Sequence, residues 1–290
     1  METRKDQELL DKYFQKAVVY YGVGDVYHAV KLFKRLVKVA PEWVAPFEFL
    51  ADIYTERQEW KPALHYSQKV LALDEQKPSA WLSVAMAATA LKRWKKARNA
   101  WNEIGYQLRE SSDPIHIDYG KIALKIKTNK QIEILEAQRI GSARAIILSI
   151  PQIKSEFGFG MIVMIDPESK EKYVAPNGQS FPVYTALEIW KLTAFKNYTA
   201  FLEEASKSDI DVLYNLCINE GIGFDNWSNA SRTTNFKKTN EYLAHLIKPD
   251  SSPQNQLVAF SAYNQKTVEA VLKNWKIITL GNYNNLQRLT

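Results

Sequence analysis

The chain is poor in the residues that staple or metallate proteins. A single cysteine, Cys217, stands among 290 residues. That excludes an internal disulfide framework and fits a reducing compartment. The four histidines, His28, His65, His116 and His245, are scattered, and no two lie at the His–x₃–His spacing of a metal pair. No run approaches the roughly 18 apolar residues of a membrane span. The opening METRKDQELLDKYF has no hydrophobic signal core, so a cytoplasmic protein without a membrane partner is expected. No strong excess of one charge is present either. Lys and Arg number 38 against 32 Asp and Glu, and the net +6 is spread along the chain. The densest basic run, LKRWKKAR (residues 91–98), reads as a solvated helix face rather than a nucleic-acid footprint.

Catalytic patterns are missing too. FGFG (Phe157–Gly160) lacks the third glycine, the lysine and the strand–loop–helix setting of a phosphate cradle. Cys217 sits on an apolar helical stripe, the place of a structural thiol. The neighbouring carboxylates Glu203–Glu204 point to opposite faces of a strand. Asp209 and Asp211 open a helix, where negative charge meets the positive dipole end. No nucleophile, base and orienting group converge. The chain reads as a non-enzyme that needs neither cofactor nor metal.

What is present is a repeat. Aligned on itself at a spacing of 34, the chain superposes Ala29, Ala63 and Ala97, and likewise Ala17, Ala51 and Ala85. Tyr13, Phe47 and Trp81 form an aromatic column. Phe33, Ser67 and Trp101 form a further column, and Tyr20 and Tyr54 continue to Ala88. Each copy holds two stretches with apolar residues at three- and four-residue steps, the period of amphipathic helices. Small columns let such helices approach, and aromatics fill the space between copies. Pro41 and Pro78 fall where one copy gives way to the next.

The stretch from Tyr13 to Pro41, with Gly24–Asp25, Ala29, Phe33 and Pro41, resembles the tetratricopeptide repeat (TPR). Copies two and three depart at Gln58 and Lys92, where glycine is usual. The resemblance implies a helical solenoid whose first helices line a concave groove. The groove residues it implies are Phe14, Val18, Tyr21, Phe49, Asp52, Glu56, Leu82 and Met86. TPR domains that clamp a C-terminal carboxylate use Lys, Asn and Arg on this wall. Here Phe14 and Val18 stand there, so an apolar or basic peptide or helix is the expected guest. Self-filling of the groove by the second half of the chain is the alternative.

Beyond Arg109 the pattern changes. Asp113–Pro114 predicts the entry of a capping helix. From Gln131 onward QIEILEAQRI, ARAIILSI, FGMIVMID and EKYVAP read as strands, and Asn177–Gly178 as a turn before another. This middle piece is expected to form a small twisted or barrel-like sheet. The remainder predicts β-α-β-β-α-β order: a strand over Tyr198–Ala205, a helix over Asp209–Glu220 capped by Ser208, and a short strand at GFDNW. After a long polar insertion come a strand over Leu257–Tyr263, a helix over Gln265–Trp275 and a closing strand from Lys276. That order suggests a ferredoxin-like α+β sandwich. The expected organisation is thus a two-part α+β protein. A TPR solenoid with its capping helix spans 8–128, a β-rich subdomain 129–196, and a ferredoxin-like domain 197–290.

The phrases EAQRIGSARAIILSIP, GFDNWS and VAFSAYNQKTVEAVLKNW resemble uncharacterised bacterial proteins with such an α+β region behind tetratricopeptide repeats. Some relatives of that kind carry cysteines soon after the Asp–x–Trp phrase. This chain has none there, so no metal site is implied.

Two function classes remain. One is an interaction scaffold or adaptor, in one version immunity-type, that holds a protein or peptide partner. Its second candidate surface is Asp225, Trp227, Arg232, Lys237 and Lys238, around the insertion. The other is a small-molecule or RNA-binding regulatory protein using the C-terminal sheet, with Phe260, Tyr263, Trp227 and Arg232 as the stacking and cationic groups.

Overall fold

The computed structural model describes residues 2–127, 131–152, 155–169, 171–175, 178–228, 233–235 and 255–289. The chain divides into two compact units, Met1–Ile115 and His116–Thr290.

The first unit is three antiparallel helix pairs: α1 (Glu2–Gly22) with α2 (Val26–Val39), α3 (Val44–Glu56) with α4 (Trp60–Leu73), and α5 (Pro78–Ala90) with α6 (Trp94–Glu103). The repeat columns are its core. Ala17, Ala51 and Ala85 are buried, as are Ala29, Ala63 and Ala97, and Phe33, Ser67 and Trp101. A column of methyl groups permits close helix approach, and the larger residues interlock between pairs. In the last pair the indole N–H of Trp101 donates to Thr89 Oγ1 at 3.0 Å, so the buried ring keeps a polar partner. The turn inside each pair is the same left-handed step, at Gly24 (φ +81°), Gln58 (φ +58°) and Lys92 (φ +59°). The helix series is TPR-like, as its sequence implies.

Residues 104–127 form no helix, so the expected capping helix is absent there. Asp113 folds into a turn with Ser111, whose Oγ accepts from the Asp113 N–H at 2.9 Å. Ile117 and Tyr119 then donate their N–H groups to the carbonyls of Ile140 and Arg139. The chain is already pairing with a strand before Lys121. Alternation of Lys121, Lys125 and Lys127 with Ile122, Leu124 and Ile126 then makes a strand where a cap helix is predicted. The boundary between the halves accordingly falls at 115/116, ahead of the expected 128/129, and one compact unit holds both C-terminal pieces.

In that unit β1 (Lys121–Lys127), β2 (Gln131–Gly141), β3 (Arg144–Ile147), β4 (Ile162–Ile165) and β6 (Ser180–Lys191) run antiparallel in succession. A parallel pairing of β1 with β6 closes the ring. The expected barrel-like sheet is thus a five-stranded closed ring. β5 (Glu171–Val174) pairs beside β6, and β9 (Thr233–Asn235) pairs β2. Alternation fills the interior with Ile122, Leu124, Ile126, Leu135, Ile147 and Val163. The opposite side of the same strands carries Ala123, Ile134 and Val183, backed by Tyr173 and Phe181.

The rest follows the β-α-β-β-α-β order: β7 (Lys196–Glu203), α7 (Lys207–Asn219), β8 (Gly223–Asn226), β10 (Gln256–Ala262), α8 (Gln265–Thr279) and β11 (Asn282–Arg288). Its strands lie in the order β11-β7-β10-β8, all antiparallel. Two details differ from the sequence reading. The cap of α7 is Ser206, which forms a reciprocal capping box with Asp209, rather than Ser208. Residues 276–279 extend α8 instead of starting the last strand, because Trp275 is buried in the core and Leu280 supplies a left-handed cap at φ +60°.

Candidate functional site

Two places concentrate chemistry, one in each unit. In the first, α3 presents Glu48, Asp52 and Glu56 at four-residue intervals, hence on one face. The Tyr21 hydroxyl on α1 donates to Glu56 Oε2 at 2.6 Å. Burial, followed by the hydrogen bond to and the charge of Glu56, pushes the phenol up to about 12. Lys77 pairs with Glu48 at 2.7 Å. Asp52 is open to water, yet its carboxyl is held above the ordinary range, by desolvation first and then by Glu48 and Glu56.

The aromatic half of the expected groove is less available. Phe14 meets Phe33, Trp43 and Phe49 with ring centroids 4.8–5.8 Å apart. Phe49 also stacks on Phe33 at 4.8 Å. These rings hold the first two pairs together. Val18 and Leu82 are half-buried. Met86 is 4% exposed and belongs to the packing, not to an open wall. Tyr21, Asp52 and Glu56 are therefore brought together on an accessible face, while Phe14, Phe49 and Met86 are largely spent in the fold.

In the second unit the GFDNW phrase proves to be a latch. Asp225 Oδ2 accepts the Ile150 N–H at 3.1 Å, and the Trp227 indole N–H donates to the Ile150 carbonyl at 3.1 Å. Gln152 Nε2 donates to the Trp227 carbonyl at 3.1 Å. The Gln152 backbone N–H in turn donates to both oxygens of Glu133 at 3.0–3.1 Å. Glu133 is fully buried in β2. The strand after α7 is thereby tied to the segment leaving β3. Arg232, Lys237 and Lys238 lie outside the described residues.

Beside this latch opens a cavity of about 650 Å³. One wall is the outer side of the barrel, with Ala123, Ile134, Tyr173 and Phe181. The other is α7 and β8, with Tyr214, Cys217, Ile222 and Phe224. Phe159 reaches in against Gly223, where a Cβ would lie 2.7–2.8 Å from its ring. Lys121 and Glu136 stand ion-paired at the rim, each about half exposed. The cavity residues come from six separated elements, β1, β2, β5, β6, α7 and β8, so the sequence offered no spacing to find them. Arg144 was missed for the same reason: it is buried on β3, 4.5 Å over the Trp190 ring, and desolvation pushes its guanidinium down to about 10.

The C-terminal sheet offers no open platform at the positions expected for RNA. Phe260 is fully buried beneath the helices, and Thr199, Ala259 and Ser261 on the other face are buried too. Among the described residues of that set, Tyr263 is well exposed and Trp227 half-buried. Among the described residues no group of three or more His, Cys, Asp or Glu side chains could hold a metal ion. No described helix is long and apolar enough to cross a membrane.

No protein-family model matches the chain, and no curated protein matches it. Solved structures do. The chain is similar to the second TPR of Spaghetti (RPAP3) bound to the HSP90 peptide SRMEEVD, at 14% identity and TM-score 0.33, over 36% of this chain and 96% of that one. It is similar to the TPR2B domain of yeast Sti1 in complex with pHsp70, at 20% identity and TM-score 0.30, over 33% and 76%. A hypothetical protein from Neisseria gonorrhoeae is similar over 58% of this chain and 94% of its own, at 13% identity and TM-score 0.27.

Proposed function

We propose that the protein is a non-enzymatic interaction module whose three helix pairs hold a basic, partly apolar segment of a protein partner, as a scaffold, adaptor or immunity-type protein. The carboxylate ladder Glu48–Asp52–Glu56 carries this reading. Of the three acids on this helix face Glu48 is already paired with Lys77, while Asp52, disfavoured as an anion by desolvation first and then by Glu48 and Glu56, favours with Glu56 the arrival of a cation. Tyr21 beside them adds a flat amphipathic surface. The single buried thiol supports a cytoplasmic setting. The β-α-β-β-α-β order with strand order β11-β7-β10-β8 supports reading the last part as ferredoxin-like.

Phe49→Ala with Met86→Ala is a poor test, since both residues pack the fold. Charge reversal at the surface is cleaner. Asp52→Lys with Glu56→Lys should abolish partner recovery from native lysate while the thermal melt stays cooperative. Salt should weaken the wild-type complex. Binding of the acidic peptide SRMEEVD by wild type, or undiminished recovery by the double variant, would overturn the reading.

A further inference from the structure

The cavity beside the latch has the size and chemistry of a small-molecule site. Its volume of about 650 Å³ lies within the roughly 300–1,000 Å³ of ligand pockets. Aromatic side chains come from both walls: Tyr173 and Phe181 from the barrel side, Tyr214 and Phe224 from the helical side. Its deeper lining, Ala123, Ile134, Cys217 and Ile222, is apolar and buried. Burial there pushes the Cys217 thiol strongly up, so this depth rejects charge. The polar groups gather toward the outside, except the buried Ser149, whose hydroxyl accepts the Glu136 N–H at 3.0 Å, and Asp225, which accepts the Ile150 N–H. Lys121 and Glu136 neutralise each other, and Gln179 is exposed. Asn226 lies beside them, its amide donating to Gln256 at 2.6 Å. An anion would face the desolvated interior, and a cation would gain nothing from an acid already paired.

We propose that this cavity binds a small, uncharged, flat aromatic molecule, with its ring system inserted between the two walls and hydrogen-bonding groups at its outer edge. The site is separate from the acidic face of α3, and its fate does not depend on the partner-binding reading.

Isothermal titration with three naphthalene probes tests it: 2-naphthol, 2-naphthoate and 2-naphthylmethylammonium, at pH 7 with the full chain. Neutral 2-naphthol is expected to bind at least about tenfold tighter than either charged probe. Tyr214→Ala removes one wall at a position 47% exposed and should weaken 2-naphthol about tenfold with the melt unchanged. Ala175→Trp, which fills the lining, should abolish it. A readout on the unaltered chain guards against misfolded variants. Saturating 2-naphthol should raise the melting temperature of the unaltered chain at pH 7, while 2-naphthoate at the same concentration should not. Binding of a charged probe as tight as 2-naphthol, full affinity in Ala175→Trp, no rise in the melt with 2-naphthol, or no binding of any probe would each overturn the proposal.

Discussion

Gln58 and Lys92 hold backbone conformations that side chains resist. Both have φ near +60°, where a Cβ crowds the following carbonyl at a cost of about 1–2 kcal/mol. Gly24 makes the same step without that cost. The turn hydrogen bonds are reproduced in all three pairs: Asp25, Glu59 and Arg93 each donate their N–H to the carbonyl five residues back at 2.8 Å. Packing therefore imposes the turn on residues that do not prefer it. Gln58→Gly and Lys92→Gly should each stabilise the first unit by about 0.5–1 kcal/mol, the relieved strain being partly offset by glycine's freedom in the unfolded chain. Denaturant midpoints should rise with unchanged slope. A fall in either midpoint would show that the side chains contribute packing there. These departures from glycine were visible in the sequence as columns, though not as strain, because strain is a property of the φ that the neighbouring pairs enforce.

At the scale of elements, periodicity told most where each element packs on its own kind. The 34-residue columns located six helices because every copy buries the same positions. It misled where a local signal met a long-range partner. Asp113–Pro114 resembles a helix entry, but the strand ladder to Arg139 and Ile140 takes the backbone hydrogen bonds instead. The GFDNW phrase shows the same limit. Its residues announce a turn near a helix end, while their partners, Ile150 and Gln152, lie 75 or more positions away. No short-range rule reaches that far. The latch is therefore best weighed by mutation. Asp225→Ala removes an acceptor from the buried Ile150 N–H and should cost about 1–3 kcal/mol. Trp227→Phe keeps most of the ring but removes the indole donor, and should cost about 1 kcal/mol. Hydrogen exchange at the Ile150 and Gln152 amides should rise in both variants. Unchanged protection there would show that β3 and its exit are held without the latch.

At the scale of the whole molecule, each compact unit has a core of its own: the repeat columns in residues 1–115, and the barrel interior with the α+β core in residues 116–290. Units with separate cores can unfold as separate cooperative steps. Scanning calorimetry of the full chain should then resolve two transitions, and substitutions identify them. Asp52 has a folded-state pKa above its ordinary value, so the folded unit binds more protons than the unfolded chain just above the carboxylate range. Stability from this group is present at low pH and declines as pH rises through that interval. Asp52→Asn removes the decline. It should raise one transition at pH 7 and leave it nearly unmoved at pH 3. Asp225→Ala should lower the other transition and leave the first in place. A single peak that both substitutions shift together would mean that the two units fold as one.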